Sequence, residues 1–517
     1  MAQSTTGLRM GAGVAAAAVA LGVVQLTAAF FSPAADARTA VGTAVINLTP
    51  GPVKEWAIQT FGTADKLFLS VAVIAVIGVL AAVVAIWERS RVPVGTLAIL
   101  AAAVIGSIAV LARPGARPID IIPTVLGALC GIAVLRLLTG RIDASQSPEP
   151  TDTAEGSQDT RFDAGRRLSL MTFGIGGLGL LSGVAGVLIN RRLHSVSGDR
   201  DSFALPSAAP PSPIPADVTP AGVQLPSFIT PNKDFYRIDT ALSVPQLARA
   251  DFRLRIHGMV DREVTYTFDD LSQFEAITKT VTLACVSNPV GGDLISNATW
   301  TGYRVADLLR ASGIHAGADM VLSTSVDGFT AGTPVEALTD ARESMLAIGM
   351  NGVPLPVEHG YPARLVVPGL YGYVSATKWV VDLELTRFDK AQAFWTKLGW
   401  SERGPIKTES RIDVPRDGQK VARGPVTFGG VAWAQNRGVK AVEVRIDDGP
   451  WQPAQLGASY SNDTWRLWSF PWTATQGGFH TVTARATDNT GAVQTEDQAP
   501  PAPDGATGWP SVSFEVA

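Results

Sequence analysis

Cysteine is close to absent: Cys130 and Cys285 are the whole complement of a chain of 517 residues. Cys130 sits in an apolar run and Cys285 far downstream in polar sequence, so no intrachain disulfide is expected to join them. The polar half of the chain must then stabilise itself by core burial alone. The same scarcity leaves no cysteine set for an iron–sulfur cluster. Histidine is nearly as sparse, with His194, His257, His315, His359 and His480. None of the five falls in an apolar run, which excludes a bis-histidine haem buried among those runs. No cysteine or histidine stands at short metal-site spacing from another, which excludes four-ligand zinc. A basic stripe is also missing, and a formal net charge of −4 offers no footprint for nucleic acid.

What the sequence holds in quantity is apolar length. Residues 11–31, 67–87, 92–112, 119–138 and 168–189 are almost uncharged and dense in Ala, Val, Leu, Ile and Gly. Each is about 20 residues, the length a helix needs to cross a hydrocarbon core of roughly 30 Å. The first, after Arg9, is longer than the hydrophobic region of a signal peptide and has no clean cleavage site before the next run. It reads as a retained helix. Five crossings put the chain ends on opposite sides. Arg89, Arg91, Arg161, Arg166 and Arg167 favour a cytoplasmic N-terminus, with Arg113, Arg117, Arg191 and Arg192 then on the other face. The expectation is a multi-pass plasma-membrane protein whose C-terminal half is exported. Ionisable residues in the runs are few, mainly Asp120 and Arg136, so no transport pathway is evident and the helices read as anchor or docking surface.

Composition divides the remainder. Residues 1–190 form the transmembrane region, and the polar stretch 140–167 within it reads as a flexible loop. Residues 191–230 make a linker, in which "PSAAPPSPIPADVTPAGVQLPSF" is expected to be an extended, semi-rigid tether. Over 231–400, "DFRLRIHGMV" and "ARLVVPGLYG" read as strands. "YRVADLLRASG" reads as a helix with Val305, Leu308 and Leu309 on one face, ended by Gly313. This mixture is an α+β layout. Over 401–517 helical patterns disappear, and "VKAVEVRIDDGPW" alternates Val442, Val444 and Ile446 inward before turning at "DDG". Further short strands at a spacing of roughly 8 to 12 residues complete an immunoglobulin-like β-sandwich, expected to dock or dimerise.

Cys285 stands in "TLACVSNPVGGDLISNATWTG". A lone cysteine is ordinarily a small buried hydrophobe. Here Thr282 and Leu283 end an expected strand, and Asn288, Pro289 and the Gly291–Gly292 pair give a backbone that turns tightly and can approach a ligand. A thiolate is soft and polarisable, suited to metals that prefer sulfur. A single protein thiolate suffices when a bound cofactor brings the other metal ligands. Patterning alone does not name that cofactor.

"CVSNPVGGDLISNATWTGYRVADLL" resembles the segment of the sulfite oxidase family of molybdopterin enzymes that carries the molybdenum-binding cysteine. "MNGVPLPVEHGYPARLVVPGLYGYVSATKWV" is similar to the family's pterin-holding segment, and "PNKDFYRIDTALSVP" to the segment that opens the domain. "KAVEVRIDDGPW…DTWRLWSFPW…ARATDNTGAVQ" is similar to its sandwich dimerisation domain. The resemblance covers about residues 228–517, with the motifs in the family's order, and leaves the five-helix region outside. It implies a molybdenum–molybdopterin cofactor, with Cys285 as the protein ligand to the metal and the pterin dithiolene and oxo groups completing the site. It implies that His359 and Arg364, in "HGYPAR", contact the pterin and its phosphate, where the planar fork of Arg can donate two parallel hydrogen bonds. Ser375, Thr377 and Lys378 fall where the family has a phosphate-gripping loop. Asn232, Tyr236 and Arg237 fall in the opening segment, Arg237 also as the substrate-facing cation and a catalytic candidate beside Cys285. Asp327, in "SVDG", matches a further pterin contact.

Departures from the family pattern bear on the substrate. Ile348 and Gly349 stand where the family has a tyrosine before "MNG", and Pro289 and Val290 where an arginine pair follows the cysteine. Arg237, Ile238 and Asp239 replace the family's Arg-Asn-His. Losing cations and gaining a carboxylate makes the pocket inhospitable to sulfite, because burying an anion without a partner is costly. In "AGRRLSLMTFGIGG", Arg166–Arg167 reads equally as a twin-arginine export signal, which would carry a folded pterin enzyme across, or as positive-inside anchoring. Without haem or iron–sulfur clusters, electrons are expected to pass through a separate carrier or quinone-linked partner. A homodimer is open. The leading reading is a membrane-anchored, exported molybdopterin oxidoreductase performing oxygen-atom transfer or two-electron redox on a small substrate other than sulfite. A reductase of sulfoxides, of the methionine-sulfoxide type, and a cofactor-free surface scaffold that kept the fold are the alternatives.

Overall fold

Apolar runs of the observed length fold as helices, and the computed structural model contains them as such; it describes residues 5–50, 53, 56, 60, 65–89, 91–113, 116–145 and 157–517. Two compact units emerge: Met1–Ser195 with Thr240–Gln246, and Val196–Asp239 with Leu247–Ala517. Among the described residues, five helices are long and apolar enough to cross a membrane: Thr5–Ala28, Phe68–Ile86, Val94–Leu111, Pro118–Ala144 and Arg166–Asp201. The last begins earlier, at Ser157, so the end of the stretch expected as a loop is helical, while residues 146–156 lie outside the described residues. Small residues set the packing of this unit. Gly22 meets the Gly179 backbone, Gly127 and Gly131 admit Val24 and Ala20, and Gly13 admits Ala81 and Ala85. Lipid is as apolar as leucine, so close backbone approach rather than water exclusion holds such helices together.

Charge collects at one end of the bundle. Arg9 pairs with Asp143 and donates to the Glu88 carbonyl at 2.6 Å. The buried Glu88 carboxylate accepts from Thr96 N at 3.0 Å and from Thr96 Oγ1 at 2.7 Å, and Arg136 Nε reaches the same hydroxyl at 3.3 Å. Arg9 and Glu88 sit just beyond the apolar windows, so the sequence did not mark them as interior.

The α+β part of the second unit has strands β1 (Arg253–Gly258), β2 (Val264–Thr267), β3 (Ala276–Ala284), β4 (Ile295–Arg304) and β5 (Met320–Ser325). It continues with β6 (Thr330–Pro334), β7 (Met345–Met350), β8 (Val353–Pro354), β9 (Arg364–Val366) and β10 (Val380–Thr386). One sheet runs β2-β1-β10-β5-β6; the other runs β3-β4-β7-β8, with β9 also on β7. Strand β7 is buried along its whole length, as its apolar sequence MLAIGM requires, whereas β1 alternates exposed and buried positions. The expected helix forms over Val305–Arg310.

The sandwich follows: β11 (Glu409–Val414), β12 (Gln419–Val421), β13 (Gly424–Trp433), β14 (Val439–Ile446) and β15 (Gln452–Pro453). Strands β16 (Gln455–Leu456), β17 (Arg466–Ala474), β18 (Gly478–Asp488) and β19 (Ser511–Val516) complete it. Its sheets run β11-β13-β17-β16 and β12-β19-β18-β14-β15. Val442 and Val444 point into the core, and the turn after β14 places Asp447 at φ 50°. One apolar core is shared across this unit, joining Phe252, Leu308 and Leu365 to Val431, Trp433 and Trp465. After the short helix Ser197–Asp201, residues 203–230 form neither helix nor strand and lie along the same unit: Val218 and Phe228 enter its core, and Ala458 N donates to the Asp217 carbonyl at 2.9 Å.

Candidate active site

Cys285 follows directly on β3, and its position is set from both sides. Its N–H donates to the Leu294 carbonyl at 2.9 Å, and its carbonyl accepts from Asn288 N at 3.2 Å. Three residues upstream the sandwich grips the strand. Thr282 N donates to the Asp463 carbonyl at 3.0 Å, Trp465 N donates to Thr282 Oγ1 at 2.8 Å, and Gln435 Nε2 donates to the Thr282 carbonyl at 3.2 Å. Asn288 closes the turn by accepting from Leu294 N at 2.9 Å through Oδ1. Its Nδ2 is buried with no hydrogen-bond partner.

One phenol and a backbone turn meet the end of β3. A Cβ placed on Gly372 would lie 3.8 Å from the Ala284 carbonyl oxygen and 3.9 Å from Tyr236 Oη, so Tyr371–Gly372, Tyr236 and the end of β3 meet. Burial, then the negative charge of Cys285, pushes the Tyr236 phenol up, and the Arg364 guanidinium opposes them. Burial pushes Tyr371 well above the ordinary phenol range, with Glu409 and then Cys285 adding to it.

Beyond Tyr236 lies a wall of cations. Arg364, on β9, is 5% exposed. Among the described residues its hydrogen-bond partners are carbonyls: Leu365 at 3.4 Å, His359 at 3.2 Å and Ala376 at 3.5 Å, with the Trp300 ring 5.1 Å below. Burial brings its pKa down to about 10. Gly360 (φ +112°) lets the preceding loop pass, since a Cβ there would sit 3.0 Å from Arg364 Cβ and 3.1 Å from Lys378 Cβ. Lys378 Nζ donates to Asp239 Oδ2 at 2.7 Å and to the Glu358 carbonyl at 3.2 Å. Burial lowers its pKa to about 8, Asp239 opposes this, and the charges of Arg364 and Arg237 lower it further. Arg237 Nε donates to the same Asp239 oxygen at 2.9 Å. The buried His359 is brought down to about 4, by desolvation first and then by Arg364 and Lys378, so it is neutral near pH 7. It donates through Nε2 to the Asn232 carbonyl at 3.2 Å.

The other residues singled out from the sequence take quieter positions. Asn232 receives Asn351 Nδ2 at 2.7 Å through its side-chain oxygen, which ties the opening segment to the "MNG" turn. The Ser375 hydroxyl turns back to the Tyr371 carbonyl at 2.9 Å, and the Thr377 hydroxyl meets Ser323 Oγ at 2.7 Å, so both fully buried hydroxyls serve local structure. Asp327 accepts from Phe329 N at 3.2 Å and closes the β5–β6 turn. Tyr371 and Glu409 were not singled out. "GLYGYVS" offers two tyrosines without distinguishing them, and Glu409 lies in a β-strand of the sandwich, which carries no cue to a site in another part of the chain.

The donor set suits an anionic cofactor anchored by sulfur. The donors are a buried guanidinium hydrogen-bonded, among the described residues, to carbonyls only, a buried ammonium, and an orphaned Asn288 Nδ2 in the turn that carries Cys285. Among the described residues, Asp239 pairs with both Arg237 and Lys378, while Arg364 has no carboxylate partner. A phosphate would complete that balance, since unpaired buried charge is costly.

Comparison with known proteins bears on the same region. Residues 241–395 match the oxidoreductase molybdopterin binding domain, and residues 409–494 match a bacterial Ig domain. The chain is 30% identical over 290 residues to the mitochondrial sulfite oxidase of Homo sapiens, covering 47% of this chain and 52% of that protein. It therefore spans about half the length of the mitochondrial sulfite oxidases it matches. It is 31% identical over 153 residues to the uncharacterized oxidoreductase YuiH of Bacillus subtilis (strain 168), covering 30% of this chain and 74% of the relative. Among solved structures, the sulfane dehydrogenase SoxCD from Paracoccus pantotrophus aligns at 25% identity with a TM-score of 0.46, over 57% of this chain and 86% of that one.

Proposed function

We propose, for a chain that belongs to the sulfite oxidase family of molybdopterin-dependent oxidoreductases, a membrane-anchored enzyme that transfers an oxygen atom or an electron pair to or from a small substrate other than sulfite. As a molybdenum-dependent oxidoreductase it relies on the cofactor, when bound, for the two-electron chemistry. The protein's own residues bind and orient. Cys285 Sγ holds the metal, and Arg364 with Lys378 grips the pterin phosphate. Neutral His359 and Asn232 shape the pterin edge, with the backbone around Ser375 and Thr377 as the floor of the phosphate loop. Asp327 keeps the neighbouring hairpin closed. The observation that carries this reading is the Arg364 guanidinium, 5% exposed and bonded to carbonyls alone, next to the Tyr236 phenol that in turn senses Cys285.

The relatives named sulfite oxidase make sulfite the obvious candidate, and one pairing argues against it. Arg237, the cation expected to face the substrate, shares Asp239 Oδ2 with Lys378. A cation tied to a carboxylate by its Nε is held away from an incoming dianion, whereas an uncharged S=O centre needs no such cation. Reduction of a sulfoxide is accordingly the second reading. The five apolar helices anchor the enzyme, Arg166–Arg167 directs the second unit to the extracytoplasmic side, and a separate carrier or quinone-linked partner exchanges the electrons. The sandwich is the surface for a homodimer.

The test is elemental. Purified protein should carry molybdenum in stoichiometric amount, and Cys285→Ser should lose it while the unfolding transition stays cooperative. A screen of sulfite and sulfoxides with artificial electron donors and acceptors then names the reaction. Metal-free protein from a molybdenum-replete host would refute the cofactor reading, and efficient sulfite turnover would refute the substrate reading. Protease added to sealed cells checks orientation, because an exported second unit is cut.

A further inference from the structure

The short helix Ser197–Asp201 is docked on the loop that carries His359 and Arg364, although it precedes the residues that match the molybdopterin binding domain. Two of its side chains grip that loop. Arg200 donates through Nε to the Leu355 carbonyl at 2.8 Å and through Nη2 to the Pro354 carbonyl at 2.9 Å, where β8 ends. Asp199 Oδ2 accepts from the hydroxyl of Tyr361 at 2.7 Å, a residue that stands between His359 and Arg364 in the chain. Arg249 fixes Asp199 in turn, with its backbone N on Oδ2 and its Nε on Oδ1, each at 3.0 Å, and its guanidinium lies 4.7 Å over the Phe203 ring. Val196 is buried in one apolar cluster with Phe235, Trp300 and Tyr361. Trp300 is the ring under Arg364, and Phe235 meets the His359 ring edge to face at 5.5 Å.

Between these two grips the loop is held by the site itself. The carbonyls of Val357, Glu358 and His359 accept from Trp379 Nε1 at 2.9 Å, Lys378 Nζ at 3.2 Å and Arg364 Nη1 at 3.2 Å. The loop carbonyls therefore set where both cations point, and Arg200 and Asp199 set where the loop lies. Resting on the molybdopterin reading above, we propose that Asp199 and Arg200 are positioning residues of the cofactor site: they clamp the two ends of the Pro354–Tyr361 loop and through it hold Arg364 and Lys378 ready for the pterin phosphate. A loop ordered beforehand spares the incoming cofactor the entropy of ordering it, so the clamp acts on how firmly the cofactor is kept. The stretch expected from the sequence as a linker thus begins with a part of the site.

Full-length holoenzyme carrying Arg200→Ala or Tyr361→Phe tests this. On dialysis each variant should release molybdenum about tenfold faster than the wild type, as for loss of a hydrogen bond to a charged group. Arg200→Lys keeps one donor and should release it at a rate between those of the wild type and the Ala variant. A second readout needs no metal. In the apo-protein of either variant, amide exchange at His359 and Gly360, whose N–H groups bond within the loop, should speed up while β13 and β17 of the sandwich stay as protected as in the wild type. Release at the wild-type rate in both variants, or faster exchange spread evenly into the sandwich, would overturn the proposal. Wild-type protein that is metal-free from a molybdenum-replete host would instead sink the cofactor reading on which it rests.

Discussion

At one end of the helical bundle, Arg9, Glu88, Thr96, Arg136 and Asp143 satisfy one another, with each buried oxygen of Glu88 receiving a short hydrogen bond from Thr96. Near Cys285, Arg364 has carbonyl partners no closer than 3.2 Å, and Lys378 divides one carboxylate oxygen with Arg237. Both clusters hold buried charge, but the buried Glu88 carboxylate has both oxygens satisfied, by Thr96 hydrogen bonds, whereas Arg364 meets only carbonyls at 3.2 Å or more. Removing a charge from water is repaid only by complete pairing. A complete cluster can therefore serve as structure, whereas an incomplete one has a ligand's share left open.

The comparison predicts different responses to equivalent damage. The largest should follow Arg364→Met. Hydrogen bonds to a charged group contribute about 1.5–3 kcal/mol each, so cofactor retention should weaken roughly ten- to a hundredfold. The apo-protein should melt no lower than the wild type, because an apolar side chain replaces a cation that has no carboxylate partner. Molybdenum analysis and thermal unfolding check the two halves. Full metal content with a depressed melting temperature would place Arg364 in the structural class instead. In the bundle, Thr96→Val should do the reverse. It leaves Glu88 Oε1 without its 2.7 Å donor and should cost about 1–3 kcal/mol of stability in detergent, with molybdenum content unchanged.

The smallest expected effect is a pH slope. His359 titrates near 4 in the folded protein against an ordinary 6.5. Between those values the unfolded chain binds a proton that the folded chain refuses, so this contribution to stability is complete above pH 6.5 and lost as pH falls through 4. Melting curves of the apo-protein should show that loss on acidification, and His359→Gln should flatten it. An unchanged slope in the variant would mean that neither Arg364 nor Lys378 bears on the imidazole, which weakens the picture of crowded, under-paired cations.

How far the primary structure could be read follows from how local each feature is. Helices need a run of apolar residues, and the five runs became five helices. The sandwich needs alternation and turns, and Val442, Val444 and the turn after β14 fall as expected. The strand end and turn at Cys285 were legible because their residues are contiguous along the chain. Ser375 and Thr377 show where motif reading stops: both are in the expected loop, yet their hydroxyls point at Tyr371 and Ser323. The proline-rich stretch, expected as a tether, forms neither helix nor strand, and Val218 and Phe228 dock it on the second unit, a choice made by apolar surface far away in the chain.

By itself the sequence determined the apolar spans, the strand periods and the thiol with its turn, because each depends on residues adjacent along the backbone. The tertiary structure alone decided that Asp239 takes up Lys378 from 139 positions away, and that Glu88 is closed while Arg364 is left open. Those are pairings, and a pairing energy depends on distance and desolvation in the folded core, quantities that exist only once both partners are in place.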